Sequence, residues 1–156
     1  MAMFAEMGIL EKGVAITMLK SIPKSLSPKL LKILMEMGHG DEIVIADGNF
    51  PGASSAKHLV RADGLDIPPL LDDILTLFPL DTYVSHPISF MQVVSGDPIP
   101  TIWDIYRNII AKHYPEAQIE NIERFAFYER AKNAYAILAT SEAALYANII
   151  LKKGVV

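Results

Sequence analysis

The stretch Ser27-Pro28-Lys29-Leu30-Leu31-Lys32-Ile33-Leu34-Met35-Glu36-Met37-Gly38-His39-Gly40-Asp41-Glu42-Ile43-Val44-Ile45-Ala46-Asp47-Gly48-Asn49 holds a helix, a stop and a strand in succession. Ser27 reads as an N-cap, and Pro28 follows at the first helical position, where its missing N–H costs nothing. Leu30, Leu31, Ile33, Leu34 and Met37 then recur at helical spacing, and Gly38 suits a helix stop. Glu42 to Ala46 is a short β-branched run of the kind found in a buried strand. Asp47-Gly48-Asn49 ends it in turn chemistry. A helix feeding at once into a buried strand points to an α/β chain.

The rest of the chain repeats this style. Pro68 to Phe78 is apolar at helical spacing, and Phe90 to Val94 reads as a strand. Thr101 to Lys112 reads as a helix, with Trp103, Ile105, Ile109 and Ile110 available for burial. Ala126 to Asn133 is a further helix candidate, and Tyr135 to Ala139 and Asn148 to Leu151 are strand candidates. This alternation predicts a single-domain α/β sandwich of three layers, with helices on both faces of one sheet. It does not fix strand order. Residues 1–17 are apolar in patches but interrupted by Glu6, Glu11 and Lys12, with no basic leading region, which makes a poor signal peptide. They are expected to form a peripheral or disordered extension ahead of a domain spanning 18–156.

Composition removes several classes of function. Fourteen Lys and Arg against 18 Asp and Glu give a net charge of -4, with no basic footprint for nucleic acid or a membrane surface. No apolar run approaches the roughly 18–20 residues of a membrane span. Cysteine is absent, so there is no disulfide, thiolate nucleophile or cysteine-based metal site. The cytoplasm is the expected compartment. The nine glycines never form a dinucleotide or Walker loop, and no Gly-x-Ser-x-Gly elbow occurs. His39, His58, His86 and His113 are scattered without a helical metal-ligand spacing, so neither metal nor cofactor is expected.

Chemistry is most plausible around His39 and Asp47. His39 follows a predicted helix, near the carbonyl-rich end that favours imidazolium, and lies between two glycines. Asp47 ends a strand, and ligands of open α/β sheets gather at the carboxyl ends of strands. On spacing alone, a loop or cap histidine and a plain turn aspartate remain the commoner readings.

Further blocks change that balance. Gly38-His39-Gly40-Asp41-Glu42-Ile43, Ala46-Asp47, Asn49-Phe50-Pro51, Arg61-Ala62-Asp63-Gly64 and Leu80-Asp81-Thr82-Tyr83 follow one another in order. Arg124-Phe125-Ala126-Phe127-Tyr128-Glu129-Arg130-Ala131-Lys132 and Tyr146-Ala147-Asn148-Ile149-Ile150-Leu151-Lys152-Lys153-Gly154 complete the set. From about Met18 to the C-terminus these blocks resemble the L-fucose mutarotase family, which is shared with D-ribose pyranase. The resemblance implies a ribose-pyranase-like fold and a homo-oligomeric ring, such as a decamer. It implies His39 as proton donor and Asp47, Arg124, Tyr146, Ala147 and Asn148 as substrate-binding positions, with a monosaccharide (L-fucose, or D-ribose) as substrate. Asn49 stands where some members carry a second histidine. Thr140-Ser141-Glu142 departs from the more usual Thr-Gly-Glu, which changes a turn.

Such a reaction needs little machinery. A base takes the proton of the anomeric hydroxyl, an acid protonates the ring oxygen, the opened aldehyde rotates, and the reverse transfers close the ring. One histidine and a carboxylate suffice. Asp47 can accept from sugar hydroxyls or hold His39 in one tautomer, and Arg124 offers five fixed donors. Asn148 offers donor and acceptor, and Tyr146 can lie against the apolar face of the sugar. Phe125, Phe127 and Tyr128 can wall in a methyl group, but core packing is the commoner role for such residues. Trp103 reads as a buried helix residue, and Arg61 with Asp63 as a local structural pair. The alternatives are D-ribose pyranase chemistry and a non-catalytic sugar-binding ring.

Overall fold

The computed structural model describes residues 18–156; the expected extension over residues 1–17 lies outside them. In chain order the elements are α1 (Pro28–Glu36), β1 (Glu42–Ala46), α2 (Gly52–Ser55), β2 (Leu59–Ala62), α3 (Ile67–Leu77) and β3 (Ile88–Met91). They continue with α4 (Ile102–His113), β4 (Ile119–Ile122), α5 (Arg124–Asn133), β5 (Ala136–Thr140) and β6 (Ile149–Lys152). The quoted stretch folds as its residues dictate. The Ser27 hydroxyl accepts from the Leu30 amide at 3.2 Å, Pro28 occupies the first turn, and the helix gives out at Glu36, just short of Gly38.

The six strands form one sheet in the order β2-β5-β1-β6-β3-β4. β6 runs antiparallel to its neighbours β1 and β3, and the other adjacent pairs are parallel. The carboxyl ends of the other five strands therefore share one edge with the amino end of β6. β1 is central, and Ile43, Val44, Ile45 and Ala46 are fully buried. Ile43 and Ile45 pack with α1, α3 and α4, whereas Val44 and Ala46 pack with Phe127 and Ala131 of α5. The three-layer sandwich expected from the alternation is present, with its two outer layers unequal.

Two strands and a short helix escape the periodicity. β2 and β4 are the sheet's edges, four residues each; β2 buries only Val60 fully, and β4 buries none of its residues fully. Edge strands lack the continuous apolar run that marks a central strand. In α4 the buried residues are Ile102, Trp103, Tyr106 and Ile110, whereas Ile105 faces out at 49% exposure. Tyr106 takes the inward position because it lies three residues after Trp103 and four before Ile110, on the same face.

On the α5 face, Arg130 reaches across the sheet. It is bidentate to Glu42 of β1, with its closest nitrogen at 2.6 Å, and reaches Glu120 of β4 at 2.7 Å. The Ser89 hydroxyl donates to that same Glu120 carboxylate. Burial alone would raise the Glu120 carboxyl, but Arg130 and Ser89 outweigh it and hold the group below its usual range. No helix among the described residues is long and apolar enough to cross a membrane.

Candidate active site

At the carboxyl edge the pairing of Ile45 with Ile149 brings the residues just beyond them together. The Asp47 amide donates to the Asn148 side-chain carbonyl at 2.7 Å, which leaves the Asn148 amide nitrogen available to a ligand. Asp47 is 6% exposed and accepts from the Asn49 amide at 3.0 Å. Burial raises its carboxyl above the usual range, against the pull of the surrounding amides. Tyr146 has φ of 56°, a left-handed conformation that a tyrosine holds only when its surroundings enforce it. Two aromatic donors of α4 provide that enforcement. The Trp103 indole donates to the Tyr146 carbonyl at 2.9 Å, and the buried Tyr106 hydroxyl to the Ala147 carbonyl at 2.8 Å. Trp103 is thus both the buried helix residue expected and a pin on the site's backbone.

Arg124 opens α5, its guanidinium over the Phe125 ring at 4.7 Å, and makes no ion pair among the described residues. Asp47, Arg124, Tyr146 and Asn148 line one cavity of roughly 210 Å³ together with Asn49, Phe50, Met91, Asp97, Tyr128 and Leu145. Ala147 is fully buried and contributes backbone. The three candidate wall residues separate: Phe127 is core, Phe125 is 62% exposed, and Tyr128 lines the cavity. Polar groups and flat apolar surface in one cleft are what a monosaccharide requires.

His39 is elsewhere. It precedes β1, and Asp47 follows it, so roughly 16 Å of strand separates them. Its Nε2 lies 3.1 Å from the Asp81 carboxylate, and its ring leans on Tyr83 at 5.2 Å between centroids. Asp81, not Asp47, is therefore the carboxylate that can hold His39 in one tautomer. Asp81 is only 4% exposed, and the Tyr83 amide, with His39 second, holds its carboxyl below the usual range. The Gly40 amide donates to the Lys153 carbonyl at 2.8 Å, with φ of +87° at Gly40. Gly154 lets the Leu80–Asp81 backbone pass: a Cβ there would lie 2.6 Å from the Leu80 carbonyl oxygen. A groove of roughly 320 Å³ beside Asp81 has mostly apolar walls, and His39 does not line it.

Sequence reasoning did not assign Asp81, Tyr106 or Asp97 a role. Asp81 and Tyr83 stood in a recognised block; nothing in the pattern singled out Asp97. Arg61 and Asp63 do form a local bidentate pair, at 3.0 and 2.8 Å. Ser141 keeps ordinary backbone angles, and its hydroxyl accepts from the Gly64 amide at 2.7 Å.

A polar cleft of sugar size at the carboxyl edge of an α/β sheet, with a histidine–carboxylate pair at the far edge, has the makings of a carbohydrate-handling protein. The chain belongs to the RbsD / FucU transport protein family, whose profile matches residues 20–156. It is 52% identical over 143 residues to the fucose mutarotase of Mus musculus, covering 87% of this chain and 94% of that one. The crystal structure of the fucose mutarotase from Streptococcus pneumoniae in complex with L-fucose superposes with a TM-score of 0.85 at 62% identity. That match covers 88% of this chain and 99% of the other. Bacillus subtilis RbsD complexed with D-ribose shares the fold, with a TM-score of 0.67 at 24% identity over 84% of this chain and 95% of that one.

Proposed function

We propose that this chain interconverts the α and β anomers of L-fucopyranose by acid–base ring opening and closure, in sites completed between copies of itself. The similarity to named fucose mutarotases supports the reaction and the sugar. The observation that carries the arrangement is the separation of His39 from the Asp47 cavity by the length of β1. Neither edge is sufficient alone. The cavity has hydrogen-bonding groups for a sugar but lacks a histidine, and His39 with Asp81 forms an acid–base pair without a sugar-shaped cleft around it.

In this account Arg124, Asn148 and Asp47 orient the pyranose of one copy, with Tyr146 and Tyr128 against its ring. His39 of a neighbouring copy, held by its own Asp81, protonates the ring oxygen as the anomeric hydroxyl is deprotonated. The C1–C2 bond of the open aldehyde then rotates, and the transfers reverse. His39 is the catalytic proton donor, and no metal or cofactor takes part. The two edges are different surfaces, so the contact is head-to-tail, and its closure gives a ring, with a decamer as one size. The expected compartment is the cytoplasm.

Saturation-transfer NMR on L-fucose at equilibrium tests the reaction, because it reads anomer exchange without net conversion. Accelerated exchange is expected, with D-ribose measured in parallel for pyranose–furanose exchange. Unaccelerated L-fucose by well-folded protein would leave a sugar-binding ring. Light scattering should give a mass several times the 17.2 kDa chain.

A further inference from the structure

Asp97 lies on the loop after β3, where Gly96 turns the chain with φ of +97°. Its carboxylate accepts a hydrogen bond from the Tyr146 hydroxyl, while the Val94 amide donates to that same phenol oxygen at 3.3 Å. A phenol has one proton and two lone pairs. With the proton committed to Asp97 and one lone pair to Val94, a single lone pair is left for a ligand. Asp97 and Tyr146 both line the cavity that holds Asp47, Arg124 and Asn148. The hydrogen bond to Asp97 also raises the Tyr146 phenol above its ordinary value, so the resting group is the neutral phenol, and donation to a carboxylate makes its oxygen a better acceptor.

We propose that Asp97 is a positioning residue for anomer exchange, acting through Tyr146: it turns the phenol into a hydrogen-bond acceptor aimed at the anomeric hydroxyl. The inference rests on the site described under Proposed function. The anomeric O–H bond breaks and its proton goes to the Tyr146 oxygen, whose own proton passes to the Asp97 carboxylate. The freed electron pair forms the C1 carbonyl, the C1–ring oxygen bond breaks, and the ring oxygen takes the proton from His39. Ring closure returns each proton along the same path, so no other reactant is consumed. The two-step relay gives the anomeric hydroxyl a base that the cavity otherwise has only in Asp47, which is already occupied by backbone amides.

The test compares Asp97→Asn, Tyr146→Phe and the double variant by saturation-transfer rates across an L-fucose titration. Asp97 is exposed and asparagine is isosteric, so folding should survive, and Asp97→Ser serves as a second variant. Expected for Asp97→Asn is a loss of about 10²-fold in the rate at saturating sugar, with half-saturation moved by no more than about threefold. The double variant should be no slower than Tyr146→Phe alone, because both changes interrupt one relay. Wild-type rates in both Asp97 variants, a loss confined to half-saturation, or losses that multiply in the double variant would each overturn the proposal. His39→Ala is run alongside. If it exchanges fucose normally, the underlying site is wrong; if it is dead while Asp97→Asn is silent, only the role of Asp97 falls.

Discussion

At its carboxyl end β1 delivers Asp47 into a cleft crowded with hydrogen-bonding groups, where the Asp47 amide is held by Asn148 and the Tyr146 hydroxyl by Asp97. At its amino end it is preceded by His39, 44% exposed in its side chain and backed by the buried Asp81. The first edge is organised around shape: two α4 aromatics pin the 146–147 carbonyls, and a left-handed tyrosine is held in place. The second is organised around a proton: the carboxylate is buried and fixed by the Tyr83 amide at 3.0 Å, while the imidazole remains accessible. A sugar site needs both, and one rigid strand keeps them apart. In the proposed arrangement, binding and proton transfer are separate features of one chain that meet in a single site between copies.

The largest effect expected is from the proton edge. His39→Ala or His39→Gln should remove L-fucose exchange by at least about 10²-fold, the usual scale of a general acid. The fold and light-scattering mass should stay intact. Normal exchange by folded His39→Ala protein would erase the contrast between the edges.

A change at the cavity edge should come next. Arg124→Lys keeps the charge but loses the planar fork, so a misoriented sugar should exchange about 10²-fold more slowly, with binding weakened as well. Arg130→Lys is the matched control in the same helix. It touches neither edge's functional groups, so exchange at saturating fucose should stay near wild type. Its bonds to Glu42 and Glu120 hold three elements together, and losing the fork should cost about 1–2 kcal/mol, which is roughly 4 °C in Tm for a chain of this size. A silent Arg124→Lys with a damaging Arg130→Lys would put the cavity in the wrong place.

The smallest expected effect is none. Incubation with EDTA should leave exchange rates unchanged, since the chemistry assigned to the site is hydrogen bonding and proton transfer by side chains. Loss on chelation, restored by one divalent cation, would mean that the edges meet around a metal.

These residues also mark how far the sequence could be read. The helix at Pro28, the strand at Glu42 and the layer architecture were legible because capping, periodicity and β-branched runs are local signals. β2 and β4 were not, since half-exposed edge strands resemble loops in a linear pattern. Asp47, Arg124, Tyr146 and Asn148 could be picked out by resemblance; Asp47 is parted from His39 by β1 itself, but that Tyr146 and Asn148 join Asp47 at the far edge depends on β6 running antiparallel to β1. Strand order is a property of tertiary packing that periodicity does not carry. Asp81 beside His39 was hidden for the same reason: 42 residues separate the two, and the contact is made by the close passage of Gly154. Trp103 and Tyr106 look like ordinary core residues in sequence, and only the structure shows where their polar atoms reach.

The central claim is that the cavity and the histidine of one working site come from different copies. It is tested most directly by mixing two inactive variants, His39→Ala and Asp47→Asn, through co-expression or joint refolding, and measuring L-fucose exchange by saturation-transfer NMR. Each variant alone should be inactive. In a random equimolar ring about one site in four joins an intact cavity to an intact histidine, so about a quarter of the wild-type rate should return. Mixed assemblies that remain as inactive as their parents would contradict the account, because they would show that each chain needs its own His39 and its own Asp47.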